Sequence, residues 1–387
     1  MRPSRRVASI PPYFFADLSR RLSELAARGM DLIRMDMGAP DLPPAPHIIR
    51  ALTQAANRPD AHSYTPFGGT PAFREAVASF YRSRFEVDLD PKSEVLGLIG
   101  SKEGIFHLIE SFVDPGDVAL VPDPSYPVYA SAARIAGGDV EWLPLRRENG
   151  FLPDLAGVQA DRLAKSKVLC LNYPNNPTGA TADVAFFRRT VEFAREHDLL
   201  LIHDAAYTEV AFDGFRAPSL LEVDGAKEVA VEFHTLSKTY NMAGWRLGMA
   251  VGNRQAIEAL YVLKSQIDTS HFFAAQEAGV AALRGDQAWT QERNQVYRER
   301  RDIVLEGVRD IGMGADTPRA AMYVWAALPK DETSAAGFCD RMLEATGVSA
   351  TPGVAFGQEG EGYVRFSLAT ATERVREAME RLVRWRG

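Results

Sequence analysis

The segment Thr235-Leu236-Ser237-Lys238-Thr239-Tyr240-Asn241-Met242-Ala243-Gly244-Trp245-Arg246 gathers groups able to do covalent chemistry beside a phosphate. A lysine just past an apolar strand sits at the mouth of a sheet, where partial desolvation disfavours its ammonium form and leaves an amine able to attack an aldehyde. Lys238 meets that requirement for an imine-forming lysine. The hydroxyls of Thr235 and Ser237 and the forked guanidinium of Arg246 are the donors expected around a phosphate. Taken alone, Lys238 would read as one more exposed loop lysine.

Three further segments carry complementary groups. Ile202-His203-Asp204-Ala205-Ala206-Tyr207 closes an apolar run with a carboxylate, which can pair with a protonated pyridine nitrogen and strengthen that ring as an electron sink. A helix N-cap is the plainer reading of Asp204. Tyr207 is placed to reach the same ligand's phenolic oxygen, or simply to pack. Within Asn172-Tyr173-Pro174-Asn175-Asn176-Pro177-Thr178-Gly179, one amide can bond a cofactor oxygen and a substrate oxygen together, although the same residues suit an ordinary turn. Ile99-Gly100-Ser101-Lys102-Glu103-Gly104 sets a strand end against a helix start, whose free N–H groups and positive end would hold a phosphate.

These groups need a frame. From about Glu94 to Gly252 the short apolar runs VLGLI, DVALV, VEWLPL, KVLCL, LLLIH, VAVEF and LGMAV alternate with helical stretches, the pattern of crossover units that build a largely parallel sheet with helices on both faces. Sheets of this kind bind ligands beyond the carboxyl ends of their strands, which is where the candidate groups fall. After Arg254 the pattern turns to long helical segments, including Asp286 to Ile311, then MYVWAAL, a helix near Ala335 to Thr346, VSATP, YVRFSLA and an amphipathic helix from Thr372. That mixture predicts a separate α+β unit. The proline-rich stretch 40–46 reads as a strap, because proline suits neither helix interior nor central strand.

A chain of 387 residues is long enough to divide into a large domain and a smaller one. Its 46% hydrophobic and 25% charged residues predict a full core, and a net charge of -7 argues against a large nucleic-acid footprint. Cys170 and Cys339 are too few for a disulfide framework and lie in no metal-ligand cluster, so both are read as buried thiols and no metal is expected. Arg2, Arg5 and Arg6 open the chain without the apolar run of a signal peptide, and no stretch approaches eighteen apolar residues. A cytoplasmic protein without membrane or nucleic-acid partners is the expectation.

Taken together, the segments resemble the fold-type I pyridoxal-phosphate enzymes, specifically the class I/II aminotransferase family. NPTG, the Asp204 and Tyr207 pair, SKTYNMAGWRLG and YVRFS succeed one another with family-like separations, and the likeness covers nearly the whole chain. It implies an α/β fold: an N-terminal arm over 1–43, a large domain over 44–284 with a mostly parallel sheet covered by helices, and a smaller α+β domain over 285–387. Its cofactor is pyridoxal 5'-phosphate. The resemblance makes Lys238 the imine lysine and proton shuttle, Asp204 the pyridinium partner, and Tyr207 and Asn176 the donors to the ring's phenolate oxygen. Ser101, Lys102, Thr235, Ser237 and Arg246 then surround the phosphate, and Tyr126 of Asp123-Pro124-Ser125-Tyr126-Pro127 stacks on the ring. Arg365 grips the substrate's α-carboxylate, with Gly38 supplying backbone on the same side. By itself Arg365, alternating with Val364 and Phe366, would read as a strand residue facing water. The Asp123-Pro124 and Asn176-Pro177 peptide bonds are expected to be cis.

The same resemblance implies ping-pong exchange of an amino group between an L-amino acid and a 2-oxo acid. Ile10-Pro11-Pro12-Tyr13-Phe14-Phe15, HSYTPFGG, GSKEGI and DPSYPVY are similar to the branch that contains bacterial-type LL-diaminopimelate aminotransferases and neighbouring broad-specificity enzymes. No second arginine for a distal carboxylate is identifiable, and Ile267-Asp268-Thr269-Ser270-His271 stands where such specificity residues come from. His62-Ser63-Tyr64-Thr65-Pro66-Phe67-Gly68-Gly69 is similar to the family segment whose tyrosine crosses a two-fold interface to the other subunit's cofactor phosphate, so a homodimer with Tyr64 acting in trans is expected. A carbon-sulfur β-lyase on the same fold stays open as the alternative activity. A regulator would need a DNA-binding module, for which there is no room before Tyr13, and a nucleotide-binding protein would need the absent GxxxxGK[ST] loop.

Overall fold

The computed structural model describes residues 2–8, 10 and 14–386. Pro11, Pro12 and Tyr13 of the N-terminal segment lie outside the described residues. All seven apolar runs form strands of one sheet, here β1 (Val95–Leu98), β2 (Val118–Asp123), β3 (Asp139–Pro144), β4 (Ser166–Asn172), β5 (Leu200–Asp204), β6 (Ala230–Thr235) and β7 (Gly248–Gly252). Their order across the sheet is β1-β7-β6-β5-β4-β2-β3, and β7 alone runs against its neighbours.

The unbroken apolar runs have a physical cause visible in the packing. Successive residues of each central strand point to opposite faces, so both faces need apolar side chains when helices cover both. Leu169 and Leu171 of β4 enter one core together with Phe73, Phe187 and Leu236, whereas Val168 and Cys170 enter the opposite core with Ile105, Tyr129 and Leu260. β5 repeats this, with Leu201 on the first face and Leu200 and Ile202 on the second.

A four-stranded antiparallel sheet follows, formed by β8 (Gly314–Ala315), β9 (Tyr323–Ala327), β10 (Thr351–Pro352) and β11 (Tyr363–Ser367) in the order β10-β11-β9-β8. The helices Ala288–Asp310, Ala335–Thr346 and Thr372–Arg386 lie where the sequence places them. The N-terminal residues Ile33–Arg34 pair in parallel with Val348–Ser349, and Ile33 and Met35 join the same core as Phe338, Val348 and Phe366. The strap over 40–45 has neither helix nor strand, and a helix starts at Pro46, a position that tolerates the missing N–H. Cys170 and Cys339 are buried free thiols. No helix among the described residues is long and apolar enough to cross a membrane.

Candidate active site

Four strands of the large sheet end at one cavity of about 420 Å³. β2 runs into the turn that carries Tyr126, β4 ends at Asn172, β5 at Asp204 and β6 at Thr235. After Thr235 the chain makes one helical turn, Leu236–Thr239, capped by the Thr235 hydroxyl, which accepts from the Ser237 N–H at 3.2 Å. That turn aims Ser237 and Lys238 into the cavity. Ser101 opens the helix Ser101–Phe112 at the same rim, so free backbone N–H groups face the space beside Lys102 and Arg246. Gly100 has φ 80°, and a Cβ there would lie 2.2 Å from Arg246 Nη2, so only glycine allows the guanidinium this close to the helix start.

Thirteen residues were singled out for the site from sequence, and twelve of them line this cavity: Gly38, Ser101, Lys102, Tyr126, Asn176, Asp204, Tyr207, Thr235, Ser237, Lys238, Arg246 and Arg365. Tyr64 is the exception, 87% exposed and outside the cavity of its own chain. The segment 267–271 also lies outside it, tied to the Tyr64 segment where the Thr65 hydroxyl donates to the His271 carbonyl at 2.9 Å. The peptide bonds at Asp123-Pro124 and Asn176-Pro177 are cis, as is that at Tyr173-Pro174.

Burial pushes the two reactive groups toward neutrality from opposite directions. The Asp204 carboxyl is raised to about 6 by desolvation, opposed by a hydrogen bond that Tyr129 donates to Oδ2 at 2.9 Å. Its other oxygen, Oδ1, is buried with no hydrogen-bond partner among the described residues. The Lys238 amine is lowered to about 8, first by desolvation and then by the Arg365 and Arg246 cations. Lys238 Nζ donates to the Gly38 carbonyl. Behind Asp204, the His203 ring lies between the Glu232 carboxylate, 2.8 Å from Nδ1, and the Tyr173 carbonyl, 3.0 Å from Nε2.

On the opposite wall, Arg365 of β11 is buried and donates to Asn176 Oδ1 at 2.7 Å and to the Asp36 carbonyl at 2.6 Å. Its guanidinium lies 4.2 Å from the Tyr323 ring centroid and 4.6 Å from that of Phe356. Because Asn176 turns its oxygen to Arg365, its NH₂ is left to donate elsewhere. The Tyr207 and Tyr323 hydroxyls share a hydrogen bond of 2.7 Å. Five cations (Arg34, Lys102, Lys238, Arg246 and Arg365) against two carboxylates (Asp36 and Asp204) line the space, which therefore suits a polyanionic ligand.

Sequence reasoning missed Arg34, Asp36, Tyr129 and Tyr323. Tyr129 carries a usable signal, since it follows Tyr126 by three residues onto the helix Val128–Ala136. Arg34 and Tyr323 carry none, because each meets the cavity only through long-range folding. Among the described residues no cluster of three or more His, Cys, Asp or Glu side chains is placed to hold a metal ion.

A cation-lined rim, a half-buried amine and a buried carboxylate oxygen without a partner thus meet at the strand ends of one sheet. The family model for aminotransferases of class I and II matches residues 30–382, and the chain belongs to that family, whose members are pyridoxal-phosphate-dependent transaminases. It is 50% identical over 384 residues to the LL-diaminopimelate aminotransferase of Moorella thermoacetica, covering 99% of this chain and 98% of that one. It is 51% identical over 379 residues to the enzyme of the same name from Syntrophobacter fumaroxidans, covering 98% and 97%. Among solved structures, substrate-bound BacF from Bacillus subtilis superposes with a TM-score of 0.96 at 37% identity, covering 100% of this chain and 98% of that one.

Proposed function

We propose that the chain transfers the amino group of LL-diaminopimelate to 2-oxoglutarate, with pyridoxal 5'-phosphate held in the cavity described above. The observation that carries the cofactor's orientation is the orphaned Oδ1 of Asp204, a buried carboxylate atom whose missing partner is a cationic ring N–H. Full-length identity near one half to relatives named for LL-diaminopimelate supports the substrate. When bound, the cofactor supplies an aldehyde for covalent capture and a ring that accepts electrons.

Lys238 is the amine that holds the cofactor and then moves the proton from the substrate's α-carbon, a task suited to an amine lowered to about 8. Tyr207 and the Asn176 NH₂ donate to the ring oxygen. Tyr126 offers a flat face for stacking. Ser101, Lys102, Thr235, Ser237 and Arg246 hold the phosphate, helped by the positive end of the helix Ser101–Phe112. Arg365 takes the substrate's α-carboxylate beside Gly38. The chain works as a two-fold homodimer in which Tyr64 reaches the partner's phosphate, a reading supported by its exposure at 87% and by the neighbouring exposed Phe67, Tyr261, Ile267 and Phe272. The arm, large unit and small unit are drawn at 1–43, 44–284 and 285–387, a division supported by the separate seven- and four-stranded sheets and by the pairing of Ile33–Arg34 with Val348–Ser349.

The test is an amino-donor screen with 2-oxoglutarate followed by identification of both products. LL-Diaminopimelate consumed with matching glutamate release is the expected result. Transfer from other donors but none from LL-diaminopimelate would reject the substrate, and release of ammonia with cleavage of a carbon-sulfur bond would point to β-lyase chemistry.

A further inference from the structure

Of the five cations on the cavity wall, the reading above gives work to Lys238, Lys102, Arg246 and Arg365, and Arg34 has none. Arg34 is well fixed. Its Nε and Nη2 donate to Oδ1 and Oδ2 of Asp36, each at 2.7 Å, and the Asp36 carboxylate is itself buried. The Asp36 carbonyl in turn accepts from Arg365 Nη2, so one residue links the two guanidinium groups at a set separation. Asp36 occupies the Nε/Nη2 edge of the Arg34 fork, and Nη1 donates to no group among the described residues. A guanidinium has two edges that fit a carboxylate, and the Nη1/Nη2 edge of this one remains open in a half-buried side chain that lines the cavity.

We propose that Arg34 receives the distal carboxylate of the substrates, with Asp36 fixing the fork in place. The inference rests on the assignment of Arg365 to the α-carboxylate, since it needs a second anchor at a distance from the first. It identifies the substrate class as amino acids and 2-oxo acids with a carboxylate at each end. It also accounts for the absence of any second arginine recognisable from the sequence: Arg34 stands in Asp31-Leu32-Ile33-Arg34-Met35-Asp36, where its neighbours read as a short apolar strand. The competing role is a staple, because the Arg34 to Asp36 pair also steadies the backbone from Asp36 to Gly38, whose carbonyls bind Arg365 and Lys238.

Substrate discrimination separates the two roles. The holoenzyme and its Arg34→Gln and Arg34→Lys variants are mixed with L-glutamate or with L-norvaline, a chain of similar length without the distal charge. The half-reaction is followed as loss of the cofactor's visible absorbance over a range of concentrations, and thermal melts report folding. For Arg34→Gln the half-saturating concentration of glutamate should rise roughly 10- to 100-fold, as a charged hydrogen-bond partner is lost. Norvaline should change less than about threefold, and Arg34→Lys should recover part of the glutamate loss because charge returns without the fork. Equal losses for both amino acids would make the pair a staple and overturn the proposal, as would no change for either or a wild-type enzyme indifferent to the distal carboxylate. Failure of the wild type on LL-diaminopimelate alone would reject the substrate proposed above and leave this test standing on glutamate.

Discussion

The rim of the large sheet takes Asp204, Thr235, Ser237 and Lys238 from the ends of two adjacent strands, whereas the facing wall is gathered from Arg34 to Gly38, Tyr323 and Arg365. Arg365 and Asp36, bonded to each other on that wall, are 329 positions apart in the chain. The electrostatics differ as much as the origins. On the rim, Asp204 keeps an unpartnered oxygen and Lys238 is driven toward its neutral form. On the wall, Arg34 is paired with the Asp36 carboxylate, whereas Arg365 is fixed by the neutral oxygens of Asn176 and the Asp36 carbonyl and keeps a buried Nε without a partner among the described residues. Groups whose protonation is shifted by burial are where reacting groups collect, and guanidinium forks held by hydrogen bonds suit the recognition of carboxylates. The contrast supports the proposed division of the site into a chemical rim and a recognition wall.

The largest effect should come from breaking the rim. In Asp204→Ala, removal of the substrate's α-proton should slow by about three orders of magnitude or more, because an unpaired ring is a poorer electron sink, and near-normal turnover would contradict the assignment. The same carboxylate should cost the cofactor-free protein stability. Its folded pKa of about 6 lies above the ordinary 3.8, so the folded state holds a proton that the unfolded state releases. This group's favourable contribution is complete below about pH 4 and is lost as pH rises through 6, leaving a penalty of about 3 kcal/mol at neutrality. Cofactor-free Asp204→Asn should melt higher than wild type at pH 7 and lose that advantage at pH 4. An unchanged difference across the range would refute the account of burial.

The wall should fail differently. Arg365→Ala should lose on the order of 2–5 kcal/mol of substrate stabilisation, since a charge partner is left unpaired, and the loss should be alike for every amino acid. A loss confined to one side-chain class would place Arg365 at the distal end and exchange its role with that of Arg34.

Tyr64 extends the comparison beyond one chain and should give the smallest change. Mixing Lys238→Ala chains with Tyr64→Phe chains tests it. If Tyr64 acts across a two-fold axis, one site of the mixed dimer carries both lesions and the other none, so about half of wild-type activity per dimer returns. Action within one chain leaves a lesion in every site, so the mixed dimer reaches only half of the activity of the Tyr64→Phe enzyme.

The contrast between rim and wall also explains what was legible in the sequence. The seven strands could be read because a strand covered on both faces must be apolar at every position, and the rim groups follow directly on such runs, as Asp204 follows Leu200 to His203. Helix boundaries such as Ala335–Thr346 fell where Ser334 caps the start and Gly347 ends the helix with φ 73°. The reversal of β7 was not legible, because burial on both faces gives parallel and antiparallel strands the same pattern. Arg365 was reached only through resemblance, and Arg34 and Tyr323 not at all, because the strand ends that share their cavity are distant in the chain. Tyr129 lay within reach, three residues past Tyr126 on the helix that starts at Val128, although its bond to Asp204 is made only by the fold.

The proposed chemistry depends first on Lys238 as the residue that holds the cofactor. Protein loaded with pyridoxal 5'-phosphate should absorb visible light, and borohydride should fix the cofactor to one peptide. The label should fall on Lys238 in the turn Leu236–Thr239. A label on Lys102 at the same rim, or on Lys264, which is buried between Glu103 and Asp268, would contradict it.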